Sequence, residues 1–381
     1  VSDESRLPKL PSIGDLLSHP SVQDLVGRIH HSTLARRAAG YLDELRTSAT
    51  QRAQQLDLPT PAQIADRFAR RLLGERCDTS MRINATGVVL GPPGLAPPLA
   101  EAAVQAVLHV SSDYAQPESL RQAISRELCE QTRAQAALVV SSYRAALHLV
   151  EVTGLRTDPQ LQRVEDAPLA GLYDPAQEGL DSVPTWRDRL AQGASIVLGD
   201  AAGLVGGPAL GILLGQGAWI DRLAHHPLTE VLRPGLQESV ALAATLPLYR
   251  RGAEVKLSVP IWQLLTAPLA NLEQRAQRLA PQLAQAPGIS SARACQVSSA
   301  WAVDGNGTAR HFGPSWAIAL QGESEAPDEL AARLGRLAVG VEVRLAEGEV
   351  LLDLRSVFPR WDHRLVSSIC GVEAGTSSPD H

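Results

Sequence analysis

Apolar positions in the first part of the chain recur at helical spacing. Ile13, Leu16 and Leu17, then Val22, Leu25, Val26 and Ile29, mark two short helices broken at Pro20. Leu34, Ala38, Tyr41, Leu42 and Leu45 mark a third. Thr60-Pro61-Ala62-Gln63 reads as a helix start. Threonine stands at the N-cap, proline at the first helical position, and a glutamine follows whose side chain can reach back to the cap. That helix is predicted to run to about Leu73 and to stop at Gly74. Further on, a helix over Ser119–Thr132 precedes a strand over Ala137–Val140. Ile196, Val197 and Leu198 form a β-branched apolar run, the pattern of a buried strand. A tight Gly/Ala turn, Gly206-Gly207-Pro208 and a second apolar run, Leu210–Leu214, follow it. A helix lies around 272–283, and 341–357 reads as a hairpin turning at Glu347-Gly348.

Length and charge narrow the class. A chain of 381 residues suggests two to three domains with a sizeable core. A net charge of −6 argues against a strongly basic, non-specific nucleic-acid binder but leaves room for a local patch. Cys77, Cys129, Cys295 and Cys370 have no metal-ligand spacing and read as reduced thiols, so no metal is expected. No apolar run reaches the roughly 18–20 residues of a membrane span, and the expected compartment is the cytoplasm. Lysine is scarce. Lys9 and Lys256 are the only two, and arginine supplies the other 33 basic residues.

Residues 195–215, SIVLGDAAGLVGGPALGILLG, resemble the lysine-bearing segment of bacterial selenocysteine synthase, the L-seryl-tRNA(Sec) selenium transferase family. That family reads Ser-Gly-Asp-Lys-Leu-Leu-Gly-Gly-Pro-Gln-Ala-Gly here. Aligned on Gly206-Gly207-Pro208, its Asp-Lys pair falls on Ala202 and Gly203, neither of which can form a Schiff base with pyridoxal phosphate. Arg82-Ile83-Asn84-Ala85-Thr86-Gly87 resembles the family's entry into its large domain. The match then breaks, and the place of a family active-site arginine falls in an apolar, proline-rich loop around Ala96. The family's phosphate-cradling Asn-Asn-Asn turn falls on Ser141-Ser142-Tyr143. Residues 151–194 are shorter than the family's span and show no strand–Asp–Gly-Ser-Gly pattern, the feature that holds the cofactor's pyridine nitrogen.

The resemblance implies an α/β, type I pyridoxal-phosphate (aspartate aminotransferase-like) fold with a shortened large domain. Its expected parts are a helical, tRNA-binding-like module over 1–80, the large domain over 81–255, a small C-terminal α/β domain over 256–370 and a disordered tail over 371–381. Ser141, Ser142, Gly206 and Gly207 are vestigial cofactor-binding positions, and no catalytic residue is expected. Arg233 matches the second of two family arginines that face the selenium donor, but the first is Glu230. Either an anion site or a structural salt bridge follows, and the lost guanidinium favours the bridge. His225-His226 and His148 fit capping or surface roles rather than a metal. Arg28, Arg36 and Arg37 form a basic cluster in a module that carries 12 basic and 10 acidic residues over 1–82. A tRNA grip through phosphates and an ordinary solvated helix face both remain open there.

The leading functional expectation is a selenocysteine synthase-like protein that has lost catalysis. It would act as a tRNA-binding or oligomeric partner in selenocysteine biosynthesis, with itself or with an active synthase, and would hold no cofactor. Two alternatives stand beside it. One is an active transferase, or another pyridoxal-phosphate-dependent enzyme, which requires the cofactor; the other is a structural subunit with no tRNA affinity.

Overall fold

The computed structural model describes residues 10–26, 31–51, 60–74, 82–91, 95–112, 114, 116–303, 308–337, 339–346 and 348–371. The chain divides into two compact units, Val1–Ser80 and Met81–His381. The first holds four helices: α1 (Ile13–Ser18), α2 (Pro20–Val26), α3 (His31–Gln51) and α4 (Pro61–Gly74). Pro20 opens α2, where its missing N–H costs nothing. The Thr60 box forms as predicted: Gln63 N–H donates to Thr60 Oγ1 (3.3 Å) and Thr60 N–H to Gln63 Oε1 (2.9 Å). Leu16, Val22, Leu34, Ala38, Leu42, Ile64 and Phe68 make this unit's core, and Tyr41 stacks on Phe68.

The second unit opens with β1 (Arg82–Ala85), α5 (Glu101–Ser112), α6 (Pro117–Thr132), β2 (Ala136–Val140), α7 (Tyr143–Val152) and β3 (Val164–Ala167). It continues through α8 (Trp186–Ala191), β4 (Ile196–Asp200), β5 (Gly211–Gly215), α9 (Gly217–Ala224), α10 (Pro227–Val231) and α11 (Leu236–Thr245). Next come α12 (Val255–Ser258), α13 (Pro260–Leu265), α14 (Leu269–Leu283), β6 (Ile289–Val303) and β7 (Ala309–Gly322). α15 (Pro327–Gly335), β8 (Gly340–Ala346), β9 (Glu349–Asp353) and α16 (Asp362–Cys370) complete it.

Two sheets organise this unit. One has four strands in the order β2-β5-β4-β3. β2, β3 and β4 run the same way and β5 opposes them, so the carboxyl ends of three strands share one edge. β5 is buried throughout and β4 is buried except at Asp200, the expected result of covering both faces of a sheet. The other sheet has the order β1-β8-β9-β7-β6 and draws β1 from far upstream, parallel to β8. β8 and β9 form the expected antiparallel hairpin, with Gly348 at positive φ; Glu347 lies outside the described residues. Trp186, Trp262 and Trp301 are fully buried in one core, and truncating side chains of this size typically costs about 3–5 kcal/mol.

Residues 151–194, which lack the strand–Asp–Gly-Ser-Gly pattern and whose conformation the sequence left open, contain β3, with Asp166 near its carboxyl end. The strand is short and carries two acids because it is the sheet's edge. Glu165 takes Arg189 (2.6 Å) and Arg163 (3.1 Å), and Asp166 takes Arg156 (2.5 Å). Guarded carboxylates of this kind hide the apolar alternation by which a strand is recognised. Among the described residues, no helix is long and apolar enough to cross a membrane.

Candidate functional site

Ligands of open α/β sheets bind where the carboxyl ends of strands open outward. Here that edge carries Ser141-Ser142 after β2, Pro168-Leu169 after β3 and the turn 201–208 after β4. Ser142 caps α7, its Oγ accepting from Ala145 N–H at 3.1 Å. Ser141 N–H donates to Leu232 O at 2.7 Å. Tyr143 follows at the first helical position, half-buried, its phenol pushed up to about 12 by burial, with Asp166 adding to the shift. Asp200 is also raised, by burial against the smaller opposing effect of Ala202 N–H, which donates to its Oδ1 at 2.9 Å.

The turn 201–208 is closed on itself. Ala201 N–H donates to Leu210 O, Gly203 to Asp200 O, Leu204 to Leu169 O, Gly206 to Gly203 O and Gly207 to Ala201 O, all between 2.8 and 3.2 Å. With Ala202 bound to Asp200, these backbone donors are all used inside the fold, so they offer no nest to a phosphate. The carbonyls of Leu204 and Val205 face the buried Tyr249 hydroxyl at 2.7 and 2.9 Å, and Trp262 Nε1 lies 3.0 Å from Leu204 O. Gly206 sits at φ +61°, and a Cβ there would meet Val259 at 2.7 Å.

Gly203 is the decisive position. A Cβ built on it would lie 2.4 Å from the carbonyl oxygen of Pro168 and 3.3 Å from that of Leu169. The loop after β3 therefore packs backbone to backbone against the loop after β4, filling the space into which any side chain at 203 would project. Pyridoxal phosphate held by a Schiff base needs an amine and room for it at this point. The residues present fit neither requirement.

The remaining expected positions are distributed as follows. Lys256 lies in α12 with its Nζ 2.9 Å from Glu178 Oε2; Lys9 is outside the described residues. Arg233 pairs with Glu230 three residues away, both exposed. His226 caps α10, its Nδ1 accepting from Leu228 N–H, and His225 Nδ1 lies 2.7 Å from Asp221 O. Arg36 and Arg37 are exposed on α3, whereas Arg28 lies outside the described residues. Among the described residues no cluster of His, Cys, Asp or Glu could hold a metal. Cys129, Cys295 and Cys370 are free thiols raised by burial. Sequence reasoning missed Asp166 and the Tyr143–Arg156–Asp200 surroundings, whose members are up to 57 residues apart and meet only through sheet pairing.

The family model for L-seryl-tRNA selenium transferase matches residues 138–358. The chain belongs to that family. Over 220 residues it is 31% identical to the L-seryl-tRNA(Sec) selenium transferases of Yersinia pestis (strain Pestoides F) and Yersinia pseudotuberculosis (serotype O:1b). That alignment covers 57% of this chain and 47% of each relative, so the chain spans about half the length of the curated relatives it matches. Among solved structures, D-glucosaminate-6-phosphate ammonia-lyase superposes with a TM-score of 0.51 at 15% identity, over 79% of this chain and 96% of that one. The fold of this selenium transferase family member is the type I, aspartate aminotransferase-like α/β architecture expected from its sequence.

Proposed function

We propose that this chain is a selenium transferase family member that has given up pyridoxal-phosphate catalysis and serves as a tRNA-binding or oligomeric partner in cytoplasmic selenocysteine biosynthesis. The observation that carries the reading is Gly203: it offers no amine, and the Pro168 carbonyl stands 2.4 Å from where a Cβ would begin. The used backbone donors of 201–207 support it, since a phosphate would have to break them. Arg36 and Arg37, exposed on α3, support the tRNA part through phosphate contacts, with Arg28 the third member of the cluster.

One experiment tests both parts. The purified full chain is incubated with pyridoxal phosphate and, separately, with serine-charged selenocysteine tRNA; the first is trapped with borohydride and mapped, the second is measured by filter binding. The expected outcome is no trapped lysine, together with tRNA retention that falls by about ten-fold when Arg28, Arg36 and Arg37 are changed to glutamate. A pyridoxyl adduct on Lys9 or Lys256 would sink the loss of catalysis. Absent or unchanged tRNA binding would leave only the oligomeric role.

A further inference from the structure

Between Arg82 and Arg121 the chain has no lysine or arginine, although it carries 35 such residues in all. α5 lies in that stretch and packs on α11. Its positions divide between two faces. Ala103, Ala106, Val107 and Val110, three and four apart, are buried or half-buried. Glu101, Val104, Gln105, Leu108, Ser111 and Ser112 share the opposite side and are all exposed. At the centre of that side stand Val104, 39% exposed, and Leu108, 60% exposed, one turn apart. Tyr114, just beyond the helix, is exposed in full. Three of the nine large apolar side chains exposed among the described residues thus fall between 104 and 114.

A surface helix ordinarily turns a charged face to solvent. The outer side of α5 instead has its polar groups engaged within the helix. Gln105 Nε2 donates to Glu101 Oε1 (2.7 Å), Ser111 Oγ to Val107 O (2.7 Å) and Ser112 Oγ to His109 O (2.8 Å). Polar groups already paired lose little when water is removed, so this side can be covered. The half-buried Leu95, Pro97, Pro98 and Leu99 lead into the helix and extend its apolar surface. Their addition brings the face towards the roughly 20–30 residues a side of a stable interface.

The chemistry selects the occupant. Nucleic acid and anionic membrane both call for lysine or arginine, which this stretch lacks. A second copy fits. Laid antiparallel about a two-fold axis at the level of Ala106, α5 sets Val104 of each chain against Leu108 of the other, a self-complementary contact. Each helix then has its amino end beside the other's carboxyl end, the favourable arrangement of dipoles. The two Glu101 carboxylates stand about 15 Å apart along the axis, beyond the ~8 Å over which charges act in physiological salt. Copies that each carry a net charge of −6 can therefore meet on this face.

We propose that two copies of this chain associate through α5, helix against helix and antiparallel, with Val104 and Leu108 at the centre of the contact. The proposal rests on the oligomeric half of the function proposed above and assigns it a surface.

Sedimentation equilibrium of the full chain tests it. The unaltered chain should be dimeric, and Leu108→Glu should raise the dissociation constant by at least about thirty-fold. Because Leu108 is exposed, that variant should keep its circular dichroism. A mixture of Val104→Cys and Leu108→Cys chains under mild oxidation decides the matter should the glutamate variant fail to fold. Peptide mapping should then find a disulfide joining 104 of one chain to 108 of the other. A dimer indifferent to Leu108→Glu, or absence of that crosslink, overturns the proposal and leaves the oligomeric reading standing. A chain that stays monomeric up to millimolar concentration overturns both, and the tRNA part is judged separately by filter binding.

Discussion

Two places on one sheet have met opposite fates. At the carboxyl end of β4, the turn 201–208 has every assigned backbone donor paired within the fold, and a neighbouring loop stands where a side chain at 203 would be. Along the outer edge of β2, Arg121, Arg126 and Arg233 surround an open cleft and share only exposed, local carboxylates. The difference lies in what each position has for neighbours. A turn between two buried strands has close backbone neighbours, so small residues there let the chain collapse until its polar groups satisfy one another. A sheet edge has no neighbour to collapse onto, and its charges stay available to solvent.

The sharpest way to break this comparison is to ask whether 203 is sealed by contact. Gly203→Ala should destabilise the chain by about 1–3 kcal/mol, because a backbone carbonyl must move to admit one methyl group. Denaturant unfolding measures it, and a neutral result would mean that the Pro168 loop is not seated on the turn. A smaller effect is expected from Asp200, whose carboxyl is raised by burial. A raised folded-state value means that the folded form holds its proton more firmly. Stability from this group is therefore complete below the ordinary carboxylate range and is lost as pH rises through the folded value. Asp200→Asn should accordingly stabilise the chain at neutral pH and lose that advantage in acid, read from melting temperature against pH. The smallest effect belongs to the cleft: Arg126→Gln should shift stability by no more than about 0.5 kcal/mol. A large loss there would mean that the cleft's arginines hold the fold.

Much of the fold was legible in the residues. The Thr60 capping box works because its three signals are local and need no tertiary partner. Ile196–Leu198 reads as a strand because a buried central strand is apolar on both faces. β3 was not legible. Its two acids are tolerated by arginines 2, 10 and 24 residues away from them, a pairing that no periodicity announces. The origin of β1's partner was equally hidden, since Arg82–Ala85 pairs with Gly340–Val343 across more than 250 residues.

The sequence by itself determined that position 203 carries no amine and that the chain keeps the family's Gly-Gly-Pro turn, because residue identity and local turn chemistry need no neighbours. Only the tertiary structure decided that the space beside Gly203 is filled by the backbone after β3, and that Arg121, Arg126 and Arg233 face one cleft. The physical reason is that sheet order and helix crossing, not sequence distance, set which groups exclude or confront one another.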